Sequence, residues 1–133
     1  MTSTKQMETW TGDFGREYTE RNVFEDDAAF NELFRNRFGR TKDEINEDFL
    51  GHLDRDIRIL EVGSNVGNQL RALRRLGFHR LYGIELQRHC VDRAHETNPE
   101  IDIIEGSAFD LPFKDGFFDL VFTNNVLIHI APA

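Results

Sequence analysis

Short apolar runs alternating with amphipathic stretches make up the chain after Asp54. The runs Ile57 to Val62, Leu81 to Leu86, Ile101 to Ile104 and Phe118 to Thr123 have the length and composition of buried strands. Between the first two, Val66, Leu70, Leu73 and Leu76 recur at helical spacing and Gly77 closes the stretch; Gln87 to His95 reads as a helix between the next two. Strands alternating with helices predict β-α-β-α-β, an α/β fold with a doubly wound parallel sheet and right-handed crossovers.

The first 54 residues have another texture. From Asp26 to Phe38 the apolar residues Phe30, Leu33, Phe34 and Phe38 follow helical spacing, and Gly39 is placed to end the helix. The acidic run Glu25-Asp26-Asp27 sits at its start, where it favours the helix dipole. A second helix is expected after Thr41, capped by that side chain with Glu44 completing a capping box, and burying Ile45, Phe49, Leu50 and Leu53. Residues 1–25 alternate charges with Trp10, Phe14, Tyr18 and Phe24 and carry Gly12 and Gly15, so they read as an irregular or partly helical lead-in. The expected organisation is a helical extension or lid over 1–54 and an α/β domain over 55–133.

Composition narrows the possibilities. A chain of 133 residues, 39% hydrophobic and 30% charged, with 12 Phe, suits one soluble globular core. The net charge of -8 is uneven: residues 1–54 hold 7 basic and 13 acidic side chains, the remainder 9 and 11. Without a Lys/Arg cluster a nucleic-acid partner is not expected. Cys90 is the only cysteine, which excludes an intrachain disulfide and a Cys-rich zinc site and fits a reducing cytosol. No apolar run approaches the roughly 20 residues of a membrane span, so a cytoplasmic protein with no membrane partner is expected.

The candidate chemistry begins at Ile59-Leu60-Glu61-Val62-Gly63-Ser64-Asn65-Val66-Gly67-Asn68, a strand running through a glycine turn into a helix. Ligands of open α/β sheets bind outside such strand ends. Gly63 and Gly67 let a ligand approach the main chain, and the following helix offers N–H groups and a positive dipole end to a carboxylate. Glu85, about 20 residues on at the end of the second strand, can accept hydrogen bonds from both hydroxyls of a ribose. A dinucleotide fingerprint needs glycine at the first, third and sixth positions, which here are Gly63, Asn65 and Asn68. A nucleoside carrying an amino acid therefore suits the turn better than a pyrophosphate.

At these residues the chain resembles the class I S-adenosylmethionine-dependent methyltransferases. Glu61-x-Gly63-x-Asn65-x-Gly67 is similar to their first motif, with Asn65 in place of the middle glycine; Asn is the residue that best tolerates left-handed geometry after glycine. The likeness continues through Glu85, residues 106–113 (GSAFDLPF, with Ser107 where the family usually has Asp) and residues 118–130 (FDLVFTNNVLIHI). It spans about residues 56–130. It implies a Rossmann-like fold, S-adenosyl-L-methionine as cofactor, and a binding set of Glu61, Gly63, Ser64, Asn65, Gly67, Glu85, Leu86, Ser107, Ala108 and Asn124. In that set Gly63 and Gly67 border the methionine part, Glu85 binds the ribose, and Ser107 and Ala108 lie along the adenine. Residues 10–22 are also similar to the opening of methylases associated with pseudaminic acid biosynthesis, which implies a small, sugar-related acceptor.

His129 follows the fourth strand beside Asn125 and is a catalytic candidate, although packing or capping explains it as well. His89, Cys90 and His95 lack a third ligand partner of suitable spacing, so no metal is expected. Trp10, Phe14 and Tyr18 would form a lid core or cover the cofactor and shape an acceptor pocket. The resembled family has seven strands in the order 3-2-1-4-5-7-6, so this chain is expected to carry the first four, with the fourth strand as an exposed edge open to oligomerisation and little activity alone. Two alternatives remain at this point: an NAD(P)-binding oxidoreductase domain, and a truncated, non-catalytic interaction module.

Overall fold

The computed structural model describes residues 5–21 and 26–124. In chain order these form α1 (Lys5–Thr11), α2 (Asp13–Arg21), α3 (Asp27–Phe38), α4 (Lys42–Leu50), β1 (Arg58–Val62), α5 (Asn68–Arg75), β2 (Arg80–Glu85), α6 (Arg88–Thr97), β3 (Asp102–Glu105) and β4 (Leu120–Thr123). The strands make one parallel sheet in the order β3-β2-β1-β4. The chain steps outward from β1 to β3 and then returns to lay β4 on the other side of β1. Strand order therefore reverses between β1 and β4, the place where open α/β sheets bind ligands.

Register follows from local bonds. Asp119 starts β4 by clamping β1: its Oδ2 accepts from the Arg58 N–H at 2.8 Å and its own N–H donates to the Arg58 carbonyl at 2.9 Å. The pairing then runs Ile59 with Leu120 through Val62 with Thr123. Alternation puts Ile59, Leu81, Gly83, Ile103, Leu120 and Phe122 on one face. Helices α5 and α6 cover that face, joining Leu70, Leu73, Val91 and Ala94 to Ile59, Phe78, Leu81, Ile101 and Ile103 in the buried core.

The opposite face carries Leu60, Tyr82, Ile84 and Val121. There the β3–β4 connection lays Phe117 and Phe118 edge-on against Tyr82, at 5.6 and 5.3 Å between ring centres, with Phe113 edge-on to Phe118. Val121 is left 51% exposed.

The helices of the extension start and stop as their caps dictate. Asp26 caps α3 by accepting from the Ala29 N–H, Gly39 ends it in the left-handed region, and Thr41 caps α4 by accepting from the Glu44 N–H. Arg75 of α5 lies between Asp27 and Asp43, fastening α3 and α4 to the sheet domain. The lead-in is more regular than its sequence suggested: α1 and α2 occupy most of it, parted at Gly12, and Gly15 lies buried within α2.

Of the residues expected in the core of α3 and α4, Phe30 is buried and two are exposed. Phe38 is 62% and Phe49 72% exposed, while Asn46 is buried. Helical periodicity fixes the flank on which a residue lies, but whether anything covers that flank depends on the neighbouring element. In the last turn of α3, Phe38 meets Phe34 at 5.5 Å between ring centres.

Candidate functional site

The turn after β1 is held from within. Gly63 and Ser64 both donate their N–H to the Ile84 carbonyl, at 2.8 and 3.2 Å, drawing the end of β1 onto the end of β2. The Asn65 N–H goes to Glu85 Oε1 at 2.9 Å, the Val66 N–H to Asn65 Oδ1 at 2.8 Å and the Gly67 N–H to the Ser64 carbonyl at 2.9 Å. Gly63, Asn65 and Gly67 all have positive φ, at 75°, 52° and 92°. The Asn substituted for the middle glycine thus takes the left-handed conformation expected of it. A side chain on Gly67 would meet Ile103 Cδ1 at 3.0 Å and the Asn98 amide at 3.3 Å, so the turn presses against α6 and β3 as well.

All five N–H groups from Gly63 to Gly67 are consequently spoken for within the protein. The seat that the sequence suggested for a carboxylate is confined to the start of α5. Ser64 is also turned inward: it is 3% exposed, and a Cβ on Gly83 would lie 2.6 Å from its Oγ.

Glu85 is the centre of the site. Although only 6% exposed, it accepts from the Asn65 N–H through Oε1 and from the Gln87 N–H through Oε2, at 2.9 and 2.8 Å. Each carboxylate oxygen can accept more than one bond, so capacity for two hydroxyls remains. Burial raises its pKa, an effect opposed by those backbone bonds. Leu86 follows it, half-buried.

Two residues ahead of the turn, Glu61 is 2% exposed and its Oε1 has no hydrogen-bond partner among the described residues. Burial holds its carboxyl well above the ordinary carboxylate range, the Lys42 ammonium opposes this and the Glu85 charge adds to it. An unsatisfied acceptor beside a second carboxylate suits a ligand that brings hydroxyls and a cationic group.

The remaining expected residues lie around this centre. Asn124 follows Thr123, whose partner in the sheet is Val62, so it stands beside Gly63 at the switch point. Ser107 is buried after β3, its Oγ accepting from the Phe109 N–H at 3.1 Å, while Ala108 is exposed. His129 and Asn125 lie outside the described residues. His89 and His95 are engaged separately, the first with Glu20 and the second with the Ile103 carbonyl at 2.7 Å, and Cys90 is buried.

Sequence reasoning missed three supports of the site. Gly83 makes room for Ser64, and its place inside a strand was a signal for close approach. Asn98 donates to the Val66 carbonyl at 3.2 Å from 32 residues away, and no local pattern marks it. Gln87, 5% exposed, follows Glu85 closely enough to have been suspected.

Comparison with known proteins bears on the fold and the family. No curated protein matches the chain in sequence. Among solved structures, a Methanococcus maripaludis protein described as an S-adenosyl-L-methionine-dependent methyltransferase superposes with a TM-score of 0.66 at 15% identity, covering 96% of this chain and 55% of that one. Phosphoethanolamine N-methyltransferase 1 of Haemonchus contortus, in complex with phosphoethanolamine and S-adenosylhomocysteine, gives 0.66 at 18% identity over 98% of this chain and 28% of that one. Magnesium protoporphyrin IX methyltransferase of Synechocystis PCC 6803, with S-adenosylhomocysteine bound, gives 0.66 at 16% identity over 93% and 58%. The chain thus spans between 28% and 58% of the length of these proteins, whose likeness establishes the Rossmann-like fold. The methyltransferase domain family matches residues 60–133, more than half of the sequence, and the chain belongs to that family.

Proposed function

We propose that this chain binds S-adenosyl-L-methionine at the turn between β1 and α5 and presents its methyl group to a small-molecule acceptor. The observation that carries the reading is Glu85, a buried carboxylate fixed by two backbone N–H groups at the edge of a left-handed turn, beside the point where strand order reverses. The family assignment, and the S-adenosylhomocysteine bound by two structural neighbours, support the same ligand.

In this reading Glu85 accepts from the ribose hydroxyls. Gly63, Asn65 and Gly67 border the methionine part, with the Glu61 carboxyl beneath them. Leu86, Ser107 and Ala108 line the adenine, and Asn124 closes the β4 side. The bound cofactor supplies an electrophilic methyl group on a sulfonium. The contribution of the protein is to hold acceptor and methyl group in attack geometry, with a base required only if the acceptor must lose a proton. Residues 1–54 serve as a lid over the domain formed by 55–133. The acceptor class, sugar-related, rests on the resemblance of residues 10–22, and association through the β4 edge rests on the exposure of Val121.

An NAD-type ligand fits less well, because the sixth position of the fingerprint is Asn68. Thermal unfolding with S-adenosylhomocysteine and with NADH separates the two readings. A rise in Tm with the former alone is expected; a rise with NADH alone would contradict the assignment.

A further inference from the structure

We propose that Gln87 is a positioning residue: it fastens α1 and α2 to the carboxylate of Glu85, so that docking of the helical pair and occupation of the cofactor site are coupled. The proposal rests on the cofactor reading above and adds to it the residue through which the lid is connected.

Three bonds converge on this one buried side chain and its backbone. The Gln87 N–H donates to Glu85 Oε2 at 2.8 Å. With its amide nitrogen turned toward them, the side chain donates to the Trp10 carbonyl at 2.7 Å and the Gly15 carbonyl at 3.0 Å, one on α1 and the other on α2. The approach leaves no room for a side chain on α2, since a Cβ on Gly15 would sit 1.8 Å from the Trp10 carbonyl oxygen and 2.4 Å from the Gln87 amide. This explains why a glycine occupies the interior of a helix, where it costs roughly 1 kcal/mol relative to alanine.

The other links between α2 and α6 are of a different kind. Glu20 reaches His89 Nε2 at 2.5 Å and Arg93 Nε at 4.0 Å, with all three side chains 30–53% exposed. Exposed pairs of this sort contribute little and touch nothing in the site. Gln87 joins the helical pair to Glu85, a group that contacts ligand in this reading. Any ligand that reorganises the bonds of Glu85 acts on the Gln87 backbone and hence on the docking of α1 and α2. By linkage, docking strengthens ligand binding by the same factor.

The chain contains one tryptophan, Trp10, and its carbonyl is one of the two that Gln87 holds. Its fluorescence therefore reports directly on docking. The test measures acrylamide quenching of Trp10 and the calorimetric affinity for S-adenosylhomocysteine in the whole chain, in Gln87→Ala, in Gly15→Ala and in the double variant. Gly15→Ala opens the contact from the α2 side without touching α6 or Glu85, and it does not weaken the helix itself.

In the unaltered chain S-adenosylhomocysteine should reduce quenching. Each single variant should quench more readily without ligand and bind S-adenosylhomocysteine more weakly by on the order of tenfold, the equivalent of one or two net hydrogen bonds. The double variant should bind no more weakly than either single one, because both open the same contact. Affinity and ligand-dependent quenching that are unchanged in both single variants would overturn the proposal and leave the cofactor reading intact. An equal loss in Glu20→Gln would overturn it too, by showing that any attachment of the helices suffices. Absence of binding by the unaltered, folded chain would remove the cofactor reading and the proposal together.

Discussion

Glu61 and Glu85 are two carboxyl groups in one buried site, and their surroundings treat them differently. Glu85 is held by backbone N–H groups, whereas among the described residues Glu61 has an oxygen without a partner and the Lys42 ammonium to oppose its desolvation. A carboxyl raised above its ordinary 4.5 binds more protons in the folded state than in the unfolded one. Its contribution to stability is therefore complete below that value and is lost as pH rises through the folded pKa. Glu61→Gln removes this titration, so the decline in Tm as pH rises above the ordinary carboxylate range should be shallower in the variant, as measured by thermal unfolding across pH. Gly83→Ala makes a separate point about packing, because the new methyl group would meet Ser64 at 2.6–2.8 Å. It should cost about 1–3 kcal/mol in denaturant unfolding, the usual range for overpacking. Gly83 was missed, whereas Gly63, Gly67 and Glu85 were legible in the sequence because each is demanded by local backbone geometry or by strand position. Asn98 and Lys42 were not, since their roles depend on contacts across the fold that no periodicity encodes.

The four strands, α5 and α6 were visible to within a few residues as apolar runs alternating with helical periodicity; β1 and most of β2 are buried on both faces, whereas β3 and β4 keep the apolar composition with much of their surface exposed. The Thr41 cap was equally readable, while Asp26, expected only to favour the helix dipole, caps α3 with its side chain. Asp26→Ala should destabilise the fold by about 1 kcal/mol, measured by urea unfolding. The depth of burial along α3 and α4 was less readable. Phe30 is 6% exposed and Phe49 72%, although both lie on the expected apolar flanks. Phe30→Ala should cost roughly 3–5 kcal/mol and Phe49→Ala less than about 0.5 kcal/mol in the same assay. In the lead-in, the charges and glycines that argued against regular structure belong to two short helices whose positions are set by contact with α6, a tertiary cause that local propensity does not contain.

Taken as a whole, the sheet is covered unequally. Helices α5 and α6 close one face, while the other rests on the aromatic cluster of Tyr82, Phe113, Phe117 and Phe118. The proposed site, with Gly63, Glu85 and Asn124, lies at the strand ends where strand order reverses. The family assignment makes methyl transfer the chemistry to test, and binding of the cofactor is its first requirement. The decisive measurement is calorimetric titration of the whole chain with S-adenosylhomocysteine, alongside Glu85→Ala. Saturable one-to-one binding, weakened by about 10- to 100-fold in the variant as befits loss of hydrogen bonds to a buried carboxylate, is the predicted result. A folded chain that binds no S-adenosylhomocysteine, or binds it equally well without the Glu85 carboxylate, would contradict the account.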